Sequence, residues 1–244
     1  MLPARTCGRQ AEGAAMADGI GFSSAVDRAL IVAALAHQSK LRKGTDIPYI
    51  MHPFHVGLIL QRYGYPEEVV VAGFLHDVVE DMPFGDHALQ ERIAATFPGA
   101  EFPTGVRLET FREAFLGFMD SQFGPTVMNL VMLVTEPKND GSPPRVWRER
   151  KERQLEHLAR AAPEGAALKA ADLLHNIRSV LRDLRRDGAP VMKRFNAGPA
   201  ETLWWYETAS HRAVERLERG HGLGTEVLDA VRELRETLQN LGLT

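Results

Sequence analysis

Apolar residues recur along this chain three and four positions apart, and almost nowhere in strict alternation. That period puts one buried stripe on a helix and predicts an all-α fold. Leu30, Ala33, Ala34 and His37 share such a stripe on a first helix over 24–40, which Ser24-Ala-Val-Asp27 opens as a capping box. Further helices are predicted over 52–63, 66–81, 86–96, 107–120, 125–135, 145–161, 164–186, 199–219 and 225–240, with a short one over 191–195. Pro53 and Pro66 fall where the first turn of a helix accepts proline. Two stretches, 97–104 and 136–144, are rich in proline, glycine and short polar residues, and read as loops.

The pattern breaks most sharply at one place. Val-Val-Val-Ala-Gly-Phe-Leu, which reads as a buried helix, runs straight into His76-Asp77-Val-Val-Glu80-Asp81. Ionisable groups at the end of a buried helix need partners, because uncompensated burial of charge is costly. A divalent cation would be such a partner. His76 and Asp77 can hold it, while Glu80 and Asp81, each four residues further on, handle the proton of a bound water. His52 opens another helix among apolar neighbours, and Asp172 and Asn176 lie four apart on a helix that is otherwise apolar on that face. Two histidines and two aspartates form a mixed nitrogen and oxygen set that suits Mn²⁺, Fe²⁺ or Mg²⁺, with Zn²⁺ also compatible.

Composition narrows the setting. The chain has 244 residues, enough for one sizeable core, and 23–244 read as a single domain behind a Gly- and Ala-rich, disordered leader over 1–22. Met16 within that leader is an alternative start. A net charge of -3 argues against a nucleic-acid partner. No apolar run approaches the ~20 residues that span a bilayer, so no membrane association is expected. Cys7 is the sole cysteine, which suits a reducing, cytoplasmic location. Neither GxxxxGK nor GxGxxG is present to cradle phosphates.

The ordered segments together resemble a known family. Arg42-Lys43 with Pro48-Tyr49-Ile50-x-His52-Pro53, then Phe74-Leu75-His76-Asp77-Val78-Val79-Glu80-Asp81, then Lys169-x-x-Asp172-x-x-His175-Asn176-x-Arg178 resemble the HD-domain phosphohydrolases, and among them the hydrolase domain of RelA/SpoT-type alarmone enzymes. The resemblance spans about 25–217. It is to a free-standing small alarmone hydrolase, with no synthetase domain expected after Thr244.

It implies an HD-domain bundle of about ten helices. It also implies a Mn²⁺ ion on His52, His76, Asp77 and Asp172, with water handled by Glu80 and Asp81. The implied reaction removes the 3′-pyrophosphate from (p)ppGpp or an adenine analogue. Arg42 would stack on the base, Lys43 would lie near phosphate, and Asn176 would contact the ribose or phosphate side. An aromatic of the Leu203–Glu207 segment, Trp205 or Tyr206, would border the nucleotide. The interval from Asp81 to Phe123 is longer than the family shows. The extra helical segment, about 96–122, is expected to cover the site or to serve a homo-oligomer contact. Two other readings stay open: a general HD-family phosphatase releasing orthophosphate, and a catalytically weak alarmone-binding module.

Plainer expectations accompany these. His37 reads as a satisfied core histidine and His175 as a residue that packs or orients its neighbours. Trp204-Trp205-Tyr206 reads as core packing. The Arg145–Arg153 charge run reads as a solvated helix face.

Overall fold

A computed structural model describes residues 23–136 and 146–244. The leader over 1–22, Met16, Cys7 and most of the loop predicted over 136–144 lie outside the described residues. Among these residues there are ten α-helices and no strand; the one β-type contact is an isolated antiparallel bridge between Leu41 and Pro48. The all-α expectation holds.

The helices are α1 (Ser24–Ala36), α2 (Met51–Arg62), α3 (Glu67–Leu75), α4 (Val78–Asp81), α5 (His87–Thr96), α6 (Leu108–Val134), α7 (Trp147–Ala159), α8 (Pro163–Asp187), α9 (Pro199–Val214) and α10 (Gly222–Asn240). Several predicted boundaries shift. Ser23 rather than Ser24 caps α1, its hydroxyl accepting from the Val26 N–H. That helix stops at Ala36, short of 40, and the chain turns at His37. The predicted helix over 66–81 divides into α3 and α4, with His76 and Asp77 forming the turn between them. Residues 189–194 form a 3₁₀ helix, not an α-helix.

The helices predicted over 107–120 and 125–135 meet directly, because the first runs on to the kink. Gly124, at φ 78° and ψ 167°, breaks α6 there, in a conformation that glycine adopts at little cost. Pro125 then restarts the helix, where its missing N–H costs nothing.

α3 is buried along its whole length from Val69 to Leu75. α8 presents a long apolar face from Ala166 to Leu184 and packs against α2, α3, α6, α9 and α10. α2 comes unusually close to α3. A Cβ on Gly73 would meet the Gly57 Cα at 3.0 Å, and one on Gly57 would enter the Phe74 ring. This close approach sets His52, at the start of α2, against His76, at the end of α3. The segment 96–122 turns Phe111, Phe115, Phe118 and Met119 into the core.

Candidate functional site

α2, the α3–α4 turn and α8 converge on one cavity. Tyr49, His52, His76, Asp77, Glu80, Glu136, Lys151, Lys169, Asp172, Asn176, Trp205 and Tyr206 contribute to its wall. No residue of 96–122 does, so the idea that this segment covers the site finds no support in the lining.

The two histidines face each other, His52 Nε2 lying 3.2 Å from His76 Nε2. Asp77 Oδ2 lies 3.2 Å from His76 Nε2 and 3.5 Å from His52 Nε2. Asp172 Oδ1 lies 3.2 Å from His52 Nε2 and 4.0 Å from His76 Nε2. His52, His76 and Asp172 can each offer an atom within 4.8 Å of the others, a spread that one ion can bridge. The remaining ring nitrogens are occupied: His76 Nδ1 lies 2.8 Å from the Gly73 carbonyl and His52 Nδ1 lies 2.7 Å from His175 Nδ1. A histidine fixed through one nitrogen presents the other to a metal, so this donor set fits a divalent cation.

Burial and neighbouring charge set the protonation states. Burial alone would depress His76, but the Asp77 carboxylate beside it outweighs this and holds it up to about 9. Burial dominates at His52, which is pushed down. It also dominates at His175, held down to about 2 with help from its His52 neighbour. Burial would raise both aspartates. The His76 ring overrides it at Asp77, and the Lys169 ammonium, 2.7 Å from Asp172 Oδ2, overrides it at Asp172; both stay ionised.

The acidic couple separates. Glu80 lines the cavity, its Oε2 accepting the Glu136 N–H at 3.1 Å. Asp81 is absent from the lining; its carboxylate pairs with Lys40, and His37 Nδ1 lies 3.8 Å away. Adjacent residues on α4 point about 100° apart, and here the Glu80 side is turned to the cavity while the Asp81 side is turned to Lys40 and His37.

A second cleft shares Tyr49, Asn176 and Tyr206 with the first and adds Arg42, Lys43, Arg182 and Arg194. Arg42 donates to Asn176 Oδ1 at 3.0 Å, and Asn176 donates to Asp172 Oδ1 at 2.6 Å. Lys43 reaches Asn196 instead and stays at the mouth. Trp205 and Tyr206 are buried, as core packing requires, yet both also form cavity wall.

Several residues at the site have a role that the sequence does not reveal. Tyr49 donates to Asp77 Oδ2 at 2.6 Å. Lys169 stands three residues before Asp172, a spacing that was a usable signal. Lys40 had none. Lys151, within the supposed solvated face, points inward to Glu136 at 3.0 Å and lies over the Trp205 ring. His37 is buried as expected, but neither ring nitrogen has a hydrogen-bond partner among the described residues.

A family model described as HD domain matches residues 29–100. A zebrafish (Danio rerio) protein named guanosine-3′,5′-bis(diphosphate) 3′-pyrophosphohydrolase MESH1 is 33% identical over 157 residues, 63% of this chain and 66% of that protein. Its Xenopus tropicalis namesake is 32% identical over 168 residues, 66% of this chain and 72% of that protein. Much longer relatives are matched over only 9–21% of their length. A solved structure titled as a metazoan ortholog of SpoT that hydrolyzes ppGpp superposes with a TM-score of 0.57. It covers 93% of this chain and 100% of its own at 24% identity, a likeness of fold.

Proposed function

The chain belongs to the HD-domain family that includes the MESH1 3′-pyrophosphohydrolases, and from that membership we propose that it is a metal-dependent hydrolase removing the 3′-pyrophosphate from alarmone nucleotides. The observation that carries this reading is the facing pair His52 and His76, flanked by Asp77 and Asp172, beside a cleft that bears Arg42 and Asn176.

His52, His76, Asp77 and Asp172 would hold the ion, with Mn²⁺ the proposed metal. Once bound, a divalent ion neutralises phosphoryl charge and supplies a nucleophile at neutral pH. Glu80 is the proposed general base, held in the cavity wall by the Glu136 N–H that donates to its Oε2. Asp81 orients α4 through Lys40 rather than touching the reacting atoms. Arg42 lies beside the Asn176–Asp172 chain, so its guanidinium can meet the nucleotide while Asn176 ties that contact to a ligand. Lys43, at the mouth, is placed to meet distal phosphates, and Trp205 and Tyr206 give the nucleotide an aromatic wall. Lys151 and Lys169 supply positive charge in the cavity wall, where developing phosphoryl charge is best met by preorganised donors. Cys7 as the lone cysteine supports a cytoplasmic setting.

The test is a substrate panel. Mn²⁺-loaded protein is expected to release pyrophosphate from 3′-pyrophosphorylated guanine or adenine nucleotides. Orthophosphate release instead, or tight binding without turnover, would overturn the reading.

A further inference from the structure

The contact between His52 and His175 carries a constraint on hydrogen placement. His52 Nδ1 and His175 Nδ1 lie 2.7 Å apart. That distance admits one hydrogen between them; two would collide, and none would leave two lone pairs opposed. His52 Nε2 points at His76 Nε2, Asp77 and Asp172, the proposed metal position. A neutral imidazole that gives its Nε2 lone pair to an ion must carry its hydrogen on Nδ1. The hydrogen between the two rings therefore belongs to His52, and His175 must accept it.

We propose that His175 is a positioning residue that acts as the hydrogen-bond acceptor for His52, fixing the tautomer and ring angle with which His52 meets the metal. The proposal rests on the metal site described above. His175 is not in the cavity lining and would touch neither ion nor substrate. Two rings of α2 lie against its own ring. His55 stacks on it with centroids 4.9 Å apart and planes 16° apart, and is itself tied through Nδ1 to the Met51 carbonyl at 2.6 Å. The His52 ring lies 4.9 Å from it, with planes 35° apart. Ser179 donates to the His175 carbonyl at 2.8 Å, steadying that turn of α8. With Nδ1 accepting, the His175 hydrogen sits on Nε2.

Two measurements test this. In the Zn²⁺-loaded protein, ¹⁵N-resolved NMR of the histidine rings is expected to show His52 protonated on Nδ1 and His175 protonated on Nε2. A hydrogen on His175 Nδ1 overturns the proposal. Calorimetric titration with Mn²⁺ then compares two variants. His175→Leu removes the acceptor and is expected to weaken binding 10–100-fold, the usual effect of losing such a partner. His175→Asn places a carbonyl oxygen near the old Nδ1 and is expected to recover affinity to within about threefold of wild type. Equal weakening in both variants, or none in either, overturns the proposal, and the NMR result on the unmutated chain stands even where His175→Leu fails to fold. Failure of wild-type protein to bind any divalent ion would instead count against the function proposed above.

Discussion

The Tyr49 hydroxyl donates to Asp77 Oδ2 at 2.6 Å, joining residues 28 positions apart in the chain. Asp77 Oδ2 is the same oxygen that approaches both His52 and His76. Burial pushes the Tyr49 phenol up, with the Asp77 charge adding to the effect, so it stays a donor at any accessible pH. The Lys40 ammonium lies over that ring, 3.8 Å from its centroid.

Tyr49→Phe removes this donor and leaves the ring packing intact. The carboxylate then loses what aims it at the ion, and Mn²⁺ affinity is expected to drop about tenfold. Titration calorimetry reads this directly. An unchanged dissociation constant would mean that the α3–α4 turn alone orients Asp77.

Glu80 and Asp81 are neighbours in sequence with different surroundings, so their amide variants should diverge. Glu80→Gln is expected to keep the metal and lose roughly 10²–10⁴ in kcat, the range for a general base. Asp81→Asn breaks the pair with Lys40. It is expected to lower the unfolding midpoint while costing kcat less than about tenfold. Similar kcat losses from both would return Asp81 to the reacting atoms.

That divergence marks where the sequence stops being readable. His52, His76, Asp77 and Asp172 were legible because each interrupts an apolar stripe, and the structure brings all four to one cavity. The helices were legible for the same reason, since their period survives any error in their ends. The break between α3 and α4 was not, because His76 and Asp77 fit a continuous helical pattern, and even at the turn both keep right-handed helical backbone angles. Lys151 is not legible, because a run of charges has the pattern of a solvated face and its partner Glu136 stands fifteen residues away. Lys40 and Tyr49 depend on a turn whose closure, Tyr49 N–H to the Lys40 carbonyl at 2.8 Å, no local periodicity reports.

Metal binding should release a proton. His76 in the metal-free protein is held up to about 9, so it is an imidazolium at pH 7.5. It must shed that proton to ligate. His52 is pushed down, and Asp77 and Asp172 are held in their ionised forms, so none of these three has a proton to give. Calorimetry at pH 7.5 in buffers of differing ionisation enthalpy should therefore report about one proton released per Mn²⁺ bound. Affinity should climb about tenfold per pH unit until pH 9 is approached. Zero release would show that the Asp77 carboxylate does not hold His76 charged.

His37 sets a separate, acid-side limit on stability. Its ring is buried against Tyr49, with centroids 4.9 Å apart, and burial lowers it from 6.5 to about 4. Asp77 and Asp81 pull the other way, while Lys40 and His76 add to the lowering. The sign follows from linkage. Between pH 6.5 and 4 the unfolded chain takes up a proton at this residue and the folded chain does not, so acid favours unfolding. The gap corresponds to about 3 kcal/mol lost by the time pH reaches 4. Other histidines contribute as well, and comparison with a variant isolates this one. His37→Met keeps an apolar side chain of similar bulk and cannot titrate. Urea unfolding in excess chelator should show the stability difference between wild type and variant shift in favour of the variant by about 2–3 kcal/mol as pH falls from 7 to 4.5. A difference that stays constant across that window would mean that the folded protein takes up the proton at His37 as readily as the unfolded chain, with Asp81 receiving the charge.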